Sequence, residues 1–539
     1  MLRRGGKAEA GMKGLRGPLH SPNSFSVSSS VVFGVGRAKR LALIMSVCLP
    51  AFVADGGRSL AGPIRIDPLL GARINATDNL FLTSSGRVAD LAPEADAGLS
   101  LTATGARLQA NIRYEAQLFY FARDGNTDLQ HDGAGILRYQ AIPRILSFEM
   151  NGVVRESFTT RAGKFSGNKA NLAPGRQTIQ SYTAGPDLNL RLAVPVVIKG
   201  RYRFGVTLND SGRKQATTGQ PTVPFSDSRS HDASLDIESS KDRLRRLSWR
   251  LFGRFDRTAR SNPPLPPGVV SPVLPAFQSW QAGLDLGYAL SRTFRVEGSV
   301  SSYADNTRFL GMDLDGLRWD AGFRFRGRKL EFAARGGRRP GQTTGEARLA
   351  YQLPRLRIEA TYDDVIATSQ QLLIQDSLRL TAPFLAPPAG SATSPLPLGP
   401  DLTVVAPPEF DFSDQNFRQR RIALTLDYAR RRNSYRARGY FERRTFETGG
   451  VARGFGGDLS WAHELTPTSR LRVEGVFRHD RFENSTRRDN DFIGSITYGF
   501  ALGRLLNGEF RYTHTRRFSN LPEATFNENA MYIGLRARF

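Results

Sequence analysis

Met531-Tyr532-Ile533-Gly534-Leu535-Arg536-Ala537-Arg538-Phe539 resolves into two interleaved rows. Met531, Ile533, Leu535, Ala537 and Phe539 share one parity, and Tyr532, Gly534, Arg536 and Arg538 share the other. Successive side chains of a strand point to opposite faces, so this stretch reads as a strand with one apolar and one cationic side.

The same period of two recurs from Pro63 onward. Leu108, Ala110, Ile112, Tyr114, Ala116, Leu118 and Tyr120 alternate with Arg107, Gln109, Asn111, Arg113, Glu115, Gln117 and Phe119. Tyr202, Phe204 and Val206 alternate with Lys199, Arg201 and Arg203, and Leu471, Val473 and Phe477 with Arg470, Arg472 and Glu474. All four tryptophans (Trp249, Trp280, Trp319, Trp461) fall on the apolar parity. Many of these runs reach ten residues, against about five or six for a strand of a soluble protein. The chain is only 40% hydrophobic, and no apolar run reaches the roughly 20 residues of a spanning helix. That excludes a helical membrane protein. It leaves open a barrel, in which only alternate residues meet lipid.

Connections alternate between short ones, near Gly105, Pro143, Pro195, Asp242, Ser291, Gly327, Pro354, Arg431, Pro467 and Arg504, and longer polar ones. The longer set falls near 77–89, 122–130, 158–176, 209–230, 257–276, 303–314, 338–344, 363–413, 444–455, 479–490 and 515–527. A secreted sandwich or propeller would alternate too, but its connections have no reason to sort this way. The pattern predicts an all-β, antiparallel, up-and-down transmembrane barrel of about 22 strands (range roughly 18 to 24), with short periplasmic turns and long extracellular loops. One barrel is expected over 62–539. Its outward face would meet outer-membrane lipid, and Ile533, Leu535, Ala537 and Phe539 form the C-terminal signal expected to engage the barrel-insertion machinery.

Arg37-Ala38-Lys39-Arg40 before the mostly apolar stretch Leu41 to Ala54 reads as a leader, giving a signal peptide over 37–61. Residues 1–36 read as a disordered or mis-annotated extension. Cys48, the only cysteine, sits in the leader, so the mature chain is expected to lack disulfide and thiolate chemistry. Of the formal charge of +25, about +18 lies beyond the leader. The arginines recur along strands rather than clustering in a helix or tail, which argues against nucleic acid as a partner.

Charge on the inward parity cannot face hydrocarbon, where an arginine at the midplane costs about 2–4 kcal/mol. Arg107, Arg113, Lys199, Arg201, Arg203, Arg324, Arg326, Arg355, Arg357, Arg436, Arg438, Arg470, Arg472 and Arg511 are therefore candidate lumen-lining residues, interleaved with Glu115, Asp285, Glu297, Asp320, Glu359, Asp427, Glu442, Asp458, Glu474 and Glu509. Opposite charges on neighbouring strands can form ladders that hold the wall together. An excess of arginine would draw anionic solutes or polysaccharide into the bore. The longest loop, Asp363 to Gln415, carries a helix-compatible piece from Val365 to Leu380 and a proline-rich tract, and can fold inward as a constriction or outward as a lid. The histidines His131, His231, His463, His479 and His514 show no metal-ligand spacing. His479-Asp480 near Glu483 reads as a hydrated loop cluster, and no nucleophile motif is present. No catalytic, cofactor or metal site is expected.

One further motif adds to this reading. Pro63-Ile64-Arg65-Ile66-Asp67-Pro68 leads into Ile74-Asn75-Ala76-Thr77-Asp78-Asn79-Leu80, a Thr-Asp-Asn segment just after the first strand, and Pro93-Glu94-Ala95 introduces the second. In this the chain resembles the outer-membrane β-barrel porins of the type-2 family and the barrels that accompany exopolysaccharide and PEP-CTERM systems in Gram-negative bacteria. The resemblance implies a barrel linked to surface polysaccharide, as a channel or export component, and supplies no catalytic residues. A non-conducting structural or adhesive barrel and a barrel-wall lipid- or glycan-modifying enzyme are the alternatives. Asp78 and Asn79 are expected to stabilise a turn.

Overall fold

The computed structural model describes residues 64–539 except 159–161, 174–175, 193–194, 211–225, 240–245, 262–275, 307, 310–311, 314, 373–414, 448 and 483–484. The extension expected over 1–36 and the leader expected over 37–61, with Cys48, lie outside those residues. Twenty-two long strands form one antiparallel sheet in sequence order. The first, Ile64–Thr77, pairs back onto the last, Phe526–Arg538, with Ile74 opposite Ile533 and Ala72 opposite Leu535. This is a closed barrel, and closure leaves no long edge to template aggregation. The strands run from 10 to 16 residues, enough to cross a bilayer at a tilt.

Burial is inverted relative to a soluble protein. Leu317, Leu459 and Ile533 are 65%, 60% and 58% exposed, whereas Arg444 and Arg517 are fully buried. Burying arginine while exposing leucine makes sense only if the outside solvent is hydrocarbon and the interior is wet. Trp280 and Trp319 lie outward near the long-loop end, while Trp249 and Trp461 lie near the short-turn end. Two tryptophans at each rim make the aromatic belts expected of membrane–water interfaces. The oily row of the closing strand faces outward as its alternation requires. Ile533→Arg should therefore lower stability by about 2–4 kcal/mol, read from urea titration of the bilayer-inserted protein. A loss no larger than that of Ile533→Ala would contradict the assignment.

Connections sort less cleanly than composition suggests. Arg339 joins Gln342 through Pro340-Gly341 alone, with Gly341 at φ 70, where a type II turn favours glycine. Phe446 and Val451 are similarly close, whereas the connection from Ser239 to Leu247 at the opposite rim is longer. The reason is that pairing continues past the membrane into polar segments. Arg444, Ala452 and Arg453, assigned to a loop by polarity, still pair across strands, Arg444 with Ala452 and Arg453 with Arg443.

Candidate functional site

The barrel seam is sewn by the Thr-Asp-Asn motif. Asp78 accepts hydrogen bonds from the Asn529 amide and side chain, both at 2.7 Å, and the Thr77 hydroxyl donates to Glu528 at 2.6 Å. Buried Asn79 donates to the carbonyls of Asn527 and Thr83, both at 2.8 Å, and accepts from the Thr83 amide at 2.9 Å. The motif thus ties the first strand to the last and shapes the turn beyond it. Asn79→Ala would leave the Thr83 amide without this acceptor, costing about 1–3 kcal/mol. Thermal unfolding followed by loss of heat-resistant electrophoretic mobility would measure it.

Below the motif, on the lumen side, lies a buried charge cluster. Arg73 reaches Glu94 at 2.5 Å, Glu115 at 3.2 Å and Asp96 at 3.3 Å, and Arg536 reaches Glu115 at 2.5 Å. Two glycines make the room. A Cβ at Gly71 would meet the Asp96 carboxylate at 2.3 Å, and one at Gly534 would meet Arg73 Cγ at 2.5 Å.

The candidate lumen residues divide into two sets. Arg107 and Arg355 occupy exposed turns at the short-turn rim rather than the wall. The remaining twelve lie on the inward parity, and most are matched across strands. Arg113 pairs with Glu115, Lys199 with Glu238, Arg201 and Arg203 with Asp187, and Arg324 with Glu297. Arg326 pairs with Glu331, Arg357 with Glu359, Arg436 with Asp427, Arg438 with Asp458, Arg470 with Glu464 and Arg511 with Glu509. These are the cross-strand ladders that a charged sheet face favours.

Sequence reasoning missed the most consequential feature. The segment 162–173, read as one of the outer loops, folds into the bore against the seam. Its Ser and Asn side chains hold its shape, with Ser166 Oγ accepting from the Asn168 amide at 3.0 Å and Asn168 Oδ1 from the Ala170 amide at 2.9 Å. The wall then takes up its remaining polar groups. Asn168 donates to Glu528 at 3.0 Å, Ser166 also donates to Glu528, and Arg176 donates to the Lys169 carbonyl at 2.5 Å and to Asn171 at 2.9 Å. Lys169 donates to Asp132 and, at 3.1 Å, to Gln117. Phe165 sits under the guanidinium groups of Arg478 and Arg517, 4.4 and 4.9 Å from its ring centre, and packs with Leu82, Ala173, Ile493 and Phe526. Burial pushes the Lys169 ammonium down to about 7, with Glu115 and Glu94 opposing the shift and Arg73 and Arg176 adding to it. A small cavity of about 30 Å³ lies between Lys169 and the Arg73–Glu94 cluster.

A cavity of about 930 Å³ is lined from one wall by Arg138, Glu149, Thr183 and Arg203 and from the facing wall by Glu359, Gln419, Arg421, Tyr440 and Asp458. Six arginines and six carboxylates border it, so its lining is close to neutral. Gln371 and Leu372, at the start of the long loop, border this space. Val365 to Ala367, expected to be helical, pair instead with Gln419 to Phe417, because their backbone completes the neighbouring ladder. A helical turn then starts at Ser369, capped reciprocally by Thr368 and Gln371 at 3.1 and 3.0 Å. Gln371 borders the cavity and Leu372 packs on the cluster of Ala367, Phe417, Phe446 and Ala452. The proline-rich remainder, 373–414, lies outside the described residues.

Residues 447–539 match the family model described as "Putative beta-barrel porin 2". The type-2 porin resemblance read from the N-terminal motif is thus met at the opposite end of the chain. No curated protein matches. Among solved structures, the siderophore receptor PirA from Acinetobacter baumannii is similar at 8% identity, TM-score 0.47, over 88% of this chain and 80% of that one. The FrpB iron transporter from Neisseria meningitidis is similar at 9% identity, TM-score 0.47, over 87% and 82%. OccK2 from Pseudomonas aeruginosa, solved in complex with glucuronate, is similar at 8% identity, TM-score 0.34, over 90% and 99%. The fold itself rests on the strand pairing above. The chain is a closed 22-stranded antiparallel β-barrel whose residues 447–539 match a porin family model.

Among the described residues of this barrel the histidines are not grouped. Each lies on the outward parity beside an aromatic ring. His131 Nδ1 is 2.7 Å from Tyr114 Oη and His231 Nδ1 is 2.8 Å from Tyr202 Oη, while His463, His479 and His514 adjoin Trp461, Phe455 and Phe492. His479 and Asp480, read as a loop cluster, occupy opposite faces of the strand Ser469–Arg481, so they cannot act together.

Proposed function

We propose that this barrel is a channel of the Gram-negative outer membrane for large hydrophilic molecules, and that its cargo is an exopolysaccharide on its way to the cell surface. The observation that carries the channel reading is the wide cavity bordered by hydroxyl, amide and paired charged groups from facing walls. Such a lining offers a sugar polymer many exchangeable hydrogen bonds and no deep electrostatic trap, as conduction requires. The cargo assignment draws on the resemblance to polysaccharide-associated barrels. We read the barrel as non-enzymatic, a reading supported by the scattered outward histidines.

Because cross-strand carboxylates offset most of the inward arginines, selectivity should be mildly anionic and should fade as salt screens the bore. Reversal potentials in planar bilayers test this. Deletion of the gene should abolish surface polysaccharide while leaving uptake of small nutrients intact. A second reading, a non-conducting structural barrel, is favoured by the inward segment 162–173. Absence of conductance from both the wild-type protein and a variant lacking that segment would favour it.

A further inference from the structure

The long-loop rim carries a row of arginines that neither the bore nor the seam uses. Arg420 stands opposite Arg443, Arg443 opposite Arg453, Arg453 opposite Arg481, and Arg481 opposite Arg488, across five consecutive strands. All five share the outward parity. Like charges directly opposed on one sheet face repel. Yet among the described residues no carboxylate pairs with Arg443, Arg453, Arg481 or Arg488, and Arg420 shares Asp364 with Arg418. The carboxylates adjacent in sequence point inward and are engaged there. Glu442 is held by Arg444, Asp480 by Arg478, and Asp489 by Arg487 and Arg517.

The row's height is set by what lies beneath it. One pleat toward the barrel middle, in the same register, run Ile422, Phe441, Phe455, His479 and Asn490. Ile422, Phe441 and Phe455 are 53%, 50% and 45% exposed, and this is the surface that meets hydrocarbon. The arginines therefore stand at headgroup level, and the row is continuous with the lipid-facing wall. Strands lie about 4.8 Å apart, so adjacent guanidinium groups are spaced to share one phosphate or to grip two on one headgroup.

We propose that this row binds a lipid of the leaflet at the long-loop end whose headgroup carries two or more phosphates. The counter-charge missing from the protein is then supplied by the membrane. The inference rests on the membrane-spanning reading of the outward face and is independent of transport.

The test uses the full-length mature barrel in zwitterionic micelles, titrated with a bis-phosphorylated diglucosamine lipid, with phosphatidylcholine and with inorganic pyrophosphate, bound species being counted by native mass spectrometry. The phosphorylated lipid should bind, and tightest of the three. The triple variant Arg443→Gln, Arg453→Gln, Arg481→Gln should weaken it on the order of a hundredfold. Without added lipid the same variant should unfold at a higher temperature than wild type, because the repulsion is gone. Should the triple variant not fold, Arg453→Gln alone should weaken binding about tenfold. Equal binding of phosphatidylcholine, unchanged binding by the variant, or a variant less stable in plain micelles would each overturn the proposal. Pyrophosphate binding as tightly as the lipid would assign the row to a soluble anion instead.

Discussion

Lys169→Glu is expected to eject the inward segment and raise the barrel's single-channel conductance several-fold. In the folded protein the Lys169 ammonium is buried between Asp132 and Gln117, with Glu94 and Glu115 close enough to act on it. A carboxylate there would face Asp132 without solvent between them. Breaking a buried ion pair by removing one partner costs about 3–5 kcal/mol, and reversing its sign costs at least as much. The segment's other anchors are Ser166 and Asn168 on Glu528, the Arg176 contacts with its carbonyls, and Phe165 packed under Arg478 and Arg517. The hydrogen bonds among them contribute about 1 kcal/mol net each, more where charge assists, and the Lys169 end is expected to leave the wall first. Trypsin sensitivity at Lys164 gives a readout independent of conduction and should rise in parallel. Adding Asp132→Lys should restore both to near wild type. Unchanged conductance and unchanged proteolysis in Lys169→Glu would contradict the docked arrangement.

Arg73→Ala is expected to cost the barrel about 3–5 kcal/mol. Arg73 is 5% exposed and contacts three carboxylates on the two following strands. Its removal leaves Glu94, Asp96 and Glu115 crowded together, with Arg113 and Arg536 compensating only in part. The loss falls at the seam where the first strand meets the last, so it should slow barrel closure as well as shift the urea midpoint. Arg73→Lys keeps the charge but not the fork that reaches three partners, and should recover less than half of the loss. By contrast Arg201→Ala, at an exposed lumen pair with Asp187, should change stability by no more than about 1 kcal/mol. Equal losses in the two variants would contradict the buried cluster.

The barrel was legible because its determinants are local and repeated. Alternation places Ile533, Leu535 and Phe539 outside and Arg536 inside without reference to any other strand, and turn signals such as Pro340-Gly341 mark where the chain reverses. What stayed hidden depends on partners distant in sequence. Nothing in Ser166-Gly167-Asn168-Lys169 says that Glu528, Thr515 and Asp132 await it inside the wall. Composition alone made it one more polar outer loop. The charge pairing was legible only in kind, for a related reason. Arginines such as Arg201 and Arg438 count as excess along the chain, but their carboxylates, Asp187 and Asp458, arrive from neighbouring strands. The Arg420–Arg488 row likewise exists only once register aligns five strands. The Thr-Asp-Asn motif stood between these cases. Its turn-forming role was readable from Asp and Asn at a strand end, but its bonds to Asn529 and Glu528 across the seam were not.

The most direct test is a cysteine scan along the strand Ser469–Arg481, in protein reconstituted into vesicles and carrying no other cysteine. A small membrane-impermeant thiol reagent should label Arg472→Cys and Glu474→Cys, which face the watery bore, and spare Val473→Cys and Phe477→Cys, which face hydrocarbon. Ser469 to Arg481 pair with Phe500 to Arg488 without a bulge, so period-two labelling is expected along the strand. Uniform labelling of both parities, or protection of both, would contradict a hydrocarbon-facing exterior around a hydrated interior.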